Sequence, residues 1–308
     1  MKYTKIIFLA ALLGTVLASC QKEVDVKPEE QPVVETKGWT LKVNATMDQT
    51  TKAMSLSGTE LKSYWVENEK VAVYLGTTKL GTLEAGNITN NGANAVLSGE
   101  LDSVTGVDTQ TMLTLIFPDV DDFTMTYLGQ DGSAPSEGSK LAKNFDYAMA
   151  YIHVDNVNTS TNELTVNSNA SFESQQSIYR FRFKEDGSSS YFNVKTISIT
   201  DSQNCFVRTR YGGSTPNDYG VLTMDPDPAV ISDYFYYMAI LNENTTLEDI
   251  YTFTVVRSTD NAVFEGTKTI PAAALAAPTY IPTGVAVSQK TVAQAAASTT
   301  ITSDADVL

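Results

Sequence analysis

Few residues in this chain have the type and spacing that chemistry requires. The only histidine, His153, sits in Tyr151-Ile152-His153-Val154 and alternates with apolar neighbours. A Ser-His-Asp relay needs a histidine between a nucleophile and a carboxylate. Serine and aspartate are plentiful, so composition alone leaves such a relay open. No nucleophile-elbow or metal-ligand spacing supports it, and the alternation makes His153 an outward strand residue. Cys205, in Asn204-Cys205-Phe206-Val207, has no His or Lys near it in sequence to lower its pKa, so a buried structural cysteine is expected. Asp119, Asp121 and Asp122 follow Pro118 and could join backbone carbonyls around calcium. They lack the spacing and the bidentate Glu of a calcium loop, so a solvated connection is the better reading, as it is for Asp225 and Asp227. Tyr234, Tyr236 and Tyr237 could form an aromatic platform for sugar, but on an alternating strand half of such residues are core. The expectation is no catalytic residue, no metal, no cofactor and no enzymatic activity.

The chemistry expected at the N-terminus is covalent modification. Lys2 and Lys5 precede an uncharged apolar run, residues 6–16, too short to span a bilayer as a helix. A basic start, a short apolar run and small residues before a cut site read as a secretory signal over 1–19. Leu17-Ala18-Ser19-Cys20 resembles the lipobox of bacterial lipoproteins, which makes Cys20 the lipidation site and the first mature residue. Cys205 is then the only unmodified cysteine, so a disulfide framework is ruled out and stability must come from burial. With 36 Asp+Glu against 21 Lys+Arg the chain is acidic and has no basic stripe, which argues against nucleic acid and anionic membrane surfaces as partners. Membrane contact is expected through the lipid anchor only.

These residues must be held by strands. Residues 20–37 are rich in Glu, Lys, Pro and Val without aromatics and read as a lipidated tether. Trp39, Leu41, Val43, Ala45 and Met47 then alternate with polar residues, the period of a half-buried strand, and a polar loop follows over 48–52. Val71, Val73 and Leu75 before Gly76, and the apolar run 111–117, predict further strands. So do Tyr179, Phe181 and Phe183, alternating with Arg180, Arg182 and Lys184, and the runs 192–199, 234–240 and 251–255. Short strands rich in Thr, Val, Tyr and Phe, separated by turn residues, predict β-sandwiches. A possible helical turn over 272–277 is fenced by Pro271 and Pro278. Residues 156–172 are polar and read as the break between domains. The expected division is an N-terminal sandwich over 38–173, a C-terminal sandwich over 174–282, and a tail over 283–308 outside the core.

The ordered segments resemble a family. Val43-Asn44-Ala45-Thr46, Thr51-Lys52-Ala53 and the run from Trp65 to Tyr74 are similar to the opening of Bacteroidetes fimbrillin-like proteins. Ile116-Phe117-Pro118, Asp146-Tyr147-Ala148-Met149-Ala150 and Ile178-Tyr179-Arg180-Phe181-Arg182-Phe183 follow in the family's order. The resemblance covers roughly 38–283 and the lipobox. It implies two transthyretin-like β-sandwich domains in tandem, export as an outer-membrane lipoprotein, and assembly into fimbriae. In that scheme a trypsin-like protease removes the lipidated segment with the first strand, Trp39, Leu41, Val43, Ala45 and Met47. The groove left behind accepts a strand from the C-terminal part of another subunit. Lys52 is the candidate processing site; Lys37 is the alternative, but a cut there leaves the strand in place. The candidate donor tail carries Val285, Val287, Ala293, Ala295 and Ile301, and its apolar face thins after Val287. Implied partners are other pilus subunits, the processing protease, and a host or bacterial surface ligand. Two further readings stay open: a tip, anchor or accessory lipoprotein that binds glycan or protein without polymerising, and, less favoured, a hydrolase on a β scaffold.

Overall fold

The computed structural model describes residues 38–47, 55–57, 60–62, 64–166, 168–211, 218–243, 248–271 and 280–289. The chain is all-β, as its period-two patterning predicts. The strands in the first half are β1 (Trp39–Met47), β2 (Ser55–Ser57), β3 (Glu60–Lys62), β4 (Lys70–Leu75), β5 (Thr78–Thr89), β6 (Asn94–Leu101), β7 (Met112–Phe117), β8 (Thr124–Thr126), β9 (Ala148–Asn158), β10 (Glu163–Val166) and β11 (Ala170–Ser174). The second half has β12 (Ser177–Glu185), β13 (Val194–Asp201), β14 (Val207–Tyr211), β15 (Asp218–Tyr219), β16 (Leu222–Met224), β17 (Tyr236–Ile240), β18 (Asp249–Arg257), β19 (Val263–Ile270) and β20 (Tyr280–Gln289). A short helix, α1 (Lys140–Asn144), starts at Ser139, whose hydroxyl caps it by accepting from the Ala142 N–H at 3.1 Å.

The first sheet runs β10-β1-β11-β9-β7-β4-β5-β6, and β6 pairs back onto β1. Its layers are therefore joined into one continuous ladder around a core that includes Leu41, Val43, Trp65, Val73, Leu97, Leu115, Ile152 and Phe172. Such closure removes free strand edges, which otherwise recruit other chains. The second sheet runs β16-β13-β18-β19-β20-β12-β17 and is open. Its core holds Tyr179, Phe181, Phe183, Tyr236, Tyr251 and Phe253. Tyr179, Phe181 and Phe183 are almost fully buried because alternate residues of β12 face one side.

Three boundaries differ from the sequence expectation. The polar stretch 156–172 is not a break: it forms the end of β9, all of β10 and the start of β11. Its polar residues face outward, while Leu164, Ala170 and Phe172 are buried. The division near residue 174 is not clean either, because the first half lends a segment to the second core. Phe123, Met125, Tyr127, Leu141 and Phe145 pack there, and β8 pairs with β14. The first ladder contributes to the same cluster from the face turned away from its own core, through Ala72, Tyr74, Ile116 and Met149, and the Tyr74 and Phe123 rings stand 4.5 Å apart. Finally, the second sheet does not end at residue 282. β20 lies parallel to β12 from Ile178↔Tyr280 to Glu185↔Val287, and it meets β19 at Phe264↔Gln289. Val285 and Val287, expected in a free tail, are each about 1% exposed in the second core.

Candidate functional site

The feature with the largest mechanical consequence is the slot that β1 fills. On one side β1 is antiparallel to β6 over eight residue pairs, from Trp39↔Leu101 to Thr46↔Asn94. On the other it is parallel to β10 at Thr40↔Glu163 and Leu41↔Leu164, and to β11 from Ala45↔Ala170 to Met47↔Phe172. Parallel pairing normally needs a long crossover connection, and here almost the whole first half of the chain separates β1 from β10 and β11. Leu41, Val43, Ala45 and Met47 point inward and are 1–6% exposed, while Lys42 and Asn44 face solvent. Trp39 is partly buried against the same core. Toward one end of the slot Ala45 lies between Ala95 and Ala170. Trp65 stands edge-on to Phe117 and Phe172 at 6.2 and 5.2 Å between ring centres, filling the core beneath the strand.

The residues that would be modified or cut lie outside the described residues: Cys20, Lys37, Lys52, the loop 48–52, the tether and signal segment, the possible helical turn at 272–277, and Ala293, Ala295 and Ile301 of the tail.

The other candidates do not assemble into one site. His153 is exposed on β9 and lies 3.3 Å from the Gln110 carbonyl through Nδ1. Cys205 is half-buried, not fully buried as expected. Burial and the carboxylates of Asp201, Asp249 and Glu243 push its thiol pKa up, away from the thiolate. Asp119 and Asp121 share one cation, Lys79, whose Nζ is 2.8 and 2.9 Å from their carboxylates. Hydrogen bonding to Lys79 and its charge lower the Asp121 pKa. Asp225 and Asp227 are exposed, and Asp227 Oδ1 accepts from the Ala229 N–H at 2.9 Å to shape a turn. Of the three tyrosines, only Tyr234 is exposed; Tyr236 and Tyr237 are 1% and 7% exposed, so no three-ring platform forms.

Two arrangements escaped the sequence reading. Gln130 reaches across from the first half and binds the backbone of Ala239 with both ends of its side chain. The outward face of β12 carries Arg180 and Arg182 stacked on Phe235 and Tyr191. The alternating arginines on β12 were visible in the sequence, but their aromatic partners come from separate turns.

The chain is thus an all-β protein of two tandem sheet-built lobes, the first closed by its own N-terminal strand. No protein-family model matches it, and no curated relative does. Among solved structures it is similar to a candidate cell adhesion protein from Bacteroides ovatus, at 9% identity over 83% of this chain and 97% of the other, with a TM-score of 0.42. A second such protein, from Bacteroides uniformis, matches at 14% identity over 81% and 96%, with a TM-score of 0.42. The shaft pilin SpaA of Lactobacillus rhamnosus GG matches at 10% identity over 83% and 99%, with a TM-score of 0.30. At these values the likeness carries no argument about function.

Proposed function

We propose that the chain is a structural subunit of a surface fibre that supports adhesion, exported as an outer-membrane lipoprotein through Cys20 and assembled by strand exchange. The observation that carries this reading is the slot of β1. The strand is hydrogen-bonded along both edges and inserts an apolar face into the core. At roughly 1.5–3 kcal/mol per fully buried large apolar side chain, Leu41, Val43 and Met47 contribute about 5–9 kcal/mol, to which the partly buried Trp39 adds. A whole domain is stable by only about 5–15 kcal/mol. Loss of β1 would open two strand edges and an apolar groove, and a strand from another subunit could refill both. Cleavage at Lys52, five residues after Met47, would free the strand from the lobe it closes.

Limited digestion at Lys52 should release the first strand and convert monomers into detergent-resistant ladders on a denaturing gel. Because β20 supplies Val285 and Val287 to its own lobe, the donor test is a deletion of residues 290–308. That protein should stay folded and accept a strand without donating one. A full-length protein that is cut at Lys52 and remains a folded monomer would remove the polymerising mechanism. Lipidation is tested separately: labelled fatty acid should enter the wild type and not Cys20→Ala, and equal labelling of both would sink the lipoprotein reading.

A second reading, a tip, anchor or accessory lipoprotein that binds a surface ligand without polymerising, is favoured by one observation. The best alternating part of the expected donor, Val285 and Val287, already serves its own sheet. What remains, Ala293, Ala295 and Ile301, offers a thin apolar face. Neither reading involves catalysis.

A further inference from the structure

On β12 the outward residues are Arg180, Arg182 and Lys184, since Tyr179, Phe181 and Phe183 face the core. Alternate residues of a strand stand about 6.8 Å apart, so the three cations form a regular row. The row is held in place by aromatic rings. The Arg180 guanidinium lies 4.4 Å from the centre of the Phe235 ring, and that of Arg182 lies 5.0 Å from the same ring and 4.0 Å from Tyr191. The sequence of the stack is therefore Arg180, Phe235, Arg182, Tyr191.

Both rings are positioned by local backbone structure. Tyr191 pairs with Lys184 through an isolated bridge. Phe235 ends a tight turn in which its N–H donates to the Ser232 carbonyl at 2.9 Å, and the central residues Asp233 and Tyr234 both have positive φ, 53° and 60°. Positive φ at both central residues is the geometry of a two-residue hairpin turn, and the Ser232↔Phe235 bridge that closes it fixes where Phe235 stands. The same turn leaves Tyr234 41% exposed.

Beside the row the surface drops. Arg182 is in register with Gly284 of β20 and Lys184 with Ala286, both exposed. A Cβ built on Gly284 would meet nothing within 4 Å. Arg182 makes no ion pair among the described residues. Stacking on ring faces leaves the N–H edge of Arg182 in the plane that suits two-point binding of a carboxylate or sulfate.

We propose that Arg180, Arg182, Phe235 and Tyr191, standing beside the bare floor of Gly284 and Ala286, form a binding site for an acidic saccharide carrying carboxylate or sulfate groups. The site fits a flat, sparsely charged ligand. Nucleic acid carries one negative charge per about 1.7 Å of duplex axis, and a chain of net charge −15 repels so dense a polyanion. A saccharide spreads its charges over one or more sugar rings and presents ring faces to the exposed aromatic Tyr234. This inference rests on the adhesive role proposed above and not on polymerisation.

The test is titration of the uncleaved full-length chain with polygalacturonate, a sparsely sulfated dextran and neutral dextran, by calorimetry at low and moderate salt. Binding to an acidic polymer and none to dextran is expected, with affinity falling as salt rises; which acidic polymer binds identifies carboxylate or sulfate as the recognised group. Arg182→Ala should weaken binding about tenfold or more, the loss of a charge-assisted hydrogen bond. Arg182→Lys should also weaken it, because an ammonium lacks the planar fork, and this variant carries the test if Arg182→Ala misfolds. Lys42→Ala, an exposed cation on the first lobe, should bind as the wild type does. The proposal is overturned if neither acidic polymer binds better than dextran, or if Lys42→Ala loses as much as Arg182→Ala. Dimers of the free protein that disappear in Arg182→Ala, without saccharide binding, would instead assign the face to a second copy of this chain. Failure of strand exchange at Lys52 leaves these outcomes unchanged, since the protein titrated is uncleaved.

Discussion

Replacing Val43 with aspartate is expected to unfold the first lobe at neutral pH and to move tryptophan emission to longer wavelength. Val43 sits at the middle of β1, 1% exposed, opposite Leu97 of β6. A carboxylate there loses the burial of the valine and gains no partner for its charge, a combination costing more than about 4 kcal/mol. That is most of the stability of an ordinary domain. The readout is specific because the chain's two tryptophans, Trp39 and Trp65, both belong to the first core. Tyrosine signals from the second lobe, centred on Tyr179, Tyr236 and Tyr251, should change less. Val43→Ala should cost about 2 kcal/mol in urea unfolding. Lys42→Gln, one residue away and facing solvent, should lie within about 0.5 kcal/mol of the wild type. If Val43→Asp unfolds at the same urea concentration as Lys42→Gln, β1 is not the strand that holds the first ladder closed.

The burial of β1 was legible because a strand covered on one side only prints its period directly into the sequence. The same holds for β12, whose tyrosine and phenylalanines alternate with basic residues, and for β7, whose apolar run reflects burial on both faces. Residues 156–172 misled for the complementary reason. β10 and β11 are short, and they bury only Leu164, Ala170 and Phe172 among many Asn, Ser and Thr. Small buried residues carry little hydrophobic signal, and parallel pairing with a strand more than 100 residues earlier leaves no local mark. The extension of β20 to Gln289 was hidden similarly, because Gly284 and Ala286 dilute the alternation that Val285 and Val287 supply.

The candidate sites divide along the same line. Which residues face outward on a single strand could be read from the sequence: His153 on β9 and the arginines on β12 both emerge where the period places them. What gathers around them could not. Asp119 and Asp121 read as free carboxylates until Lys79 of β5 meets them, and Phe235 and Tyr191 reach Arg182 from separate turns. Such encounters depend on how strands are ordered in the sheets, and no local pattern records that order.

Gln130 shows how much such a contact can matter, and its replacement by alanine is expected to destabilise the second lobe by about 3–5 kcal/mol. The side chain is 3% exposed. Its Oε1 accepts from the Ala239 N–H at 2.7 Å, and its Nε2 donates to the carbonyls of Ala239 and Tyr127 at 2.8 and 2.9 Å. It thus occupies the place of a neighbouring strand at the free edge of β17. Two residues along β17, the Tyr237 N–H donates to the Gly132 carbonyl at 3.1 Å, and Gln130 also bridges Met224 on the opposite edge strand, β16. Alanine would leave three buried backbone groups without these partners, at about 1–3 kcal/mol each before water and relaxation recover part of the loss. Every residue of β17 is buried, so an unplugged edge would also be an apolar template for another chain. Amide exchange at Ala239 should accelerate, and sedimentation should reveal new self-association. Gln130→Glu should be less stable than Gln130→Ala at neutral pH, because a buried carboxylate would face two carbonyls. Burial would raise its folded pKa above the unfolded value, so the penalty applies above the folded pKa and is relieved as pH falls through it. Gln203→Ala, an exposed glutamine on the same lobe, should leave stability within about 0.5 kcal/mol. Unchanged exchange at Ala239 in Gln130→Ala would mean that the edge of β17 is protected by something other than this side chain.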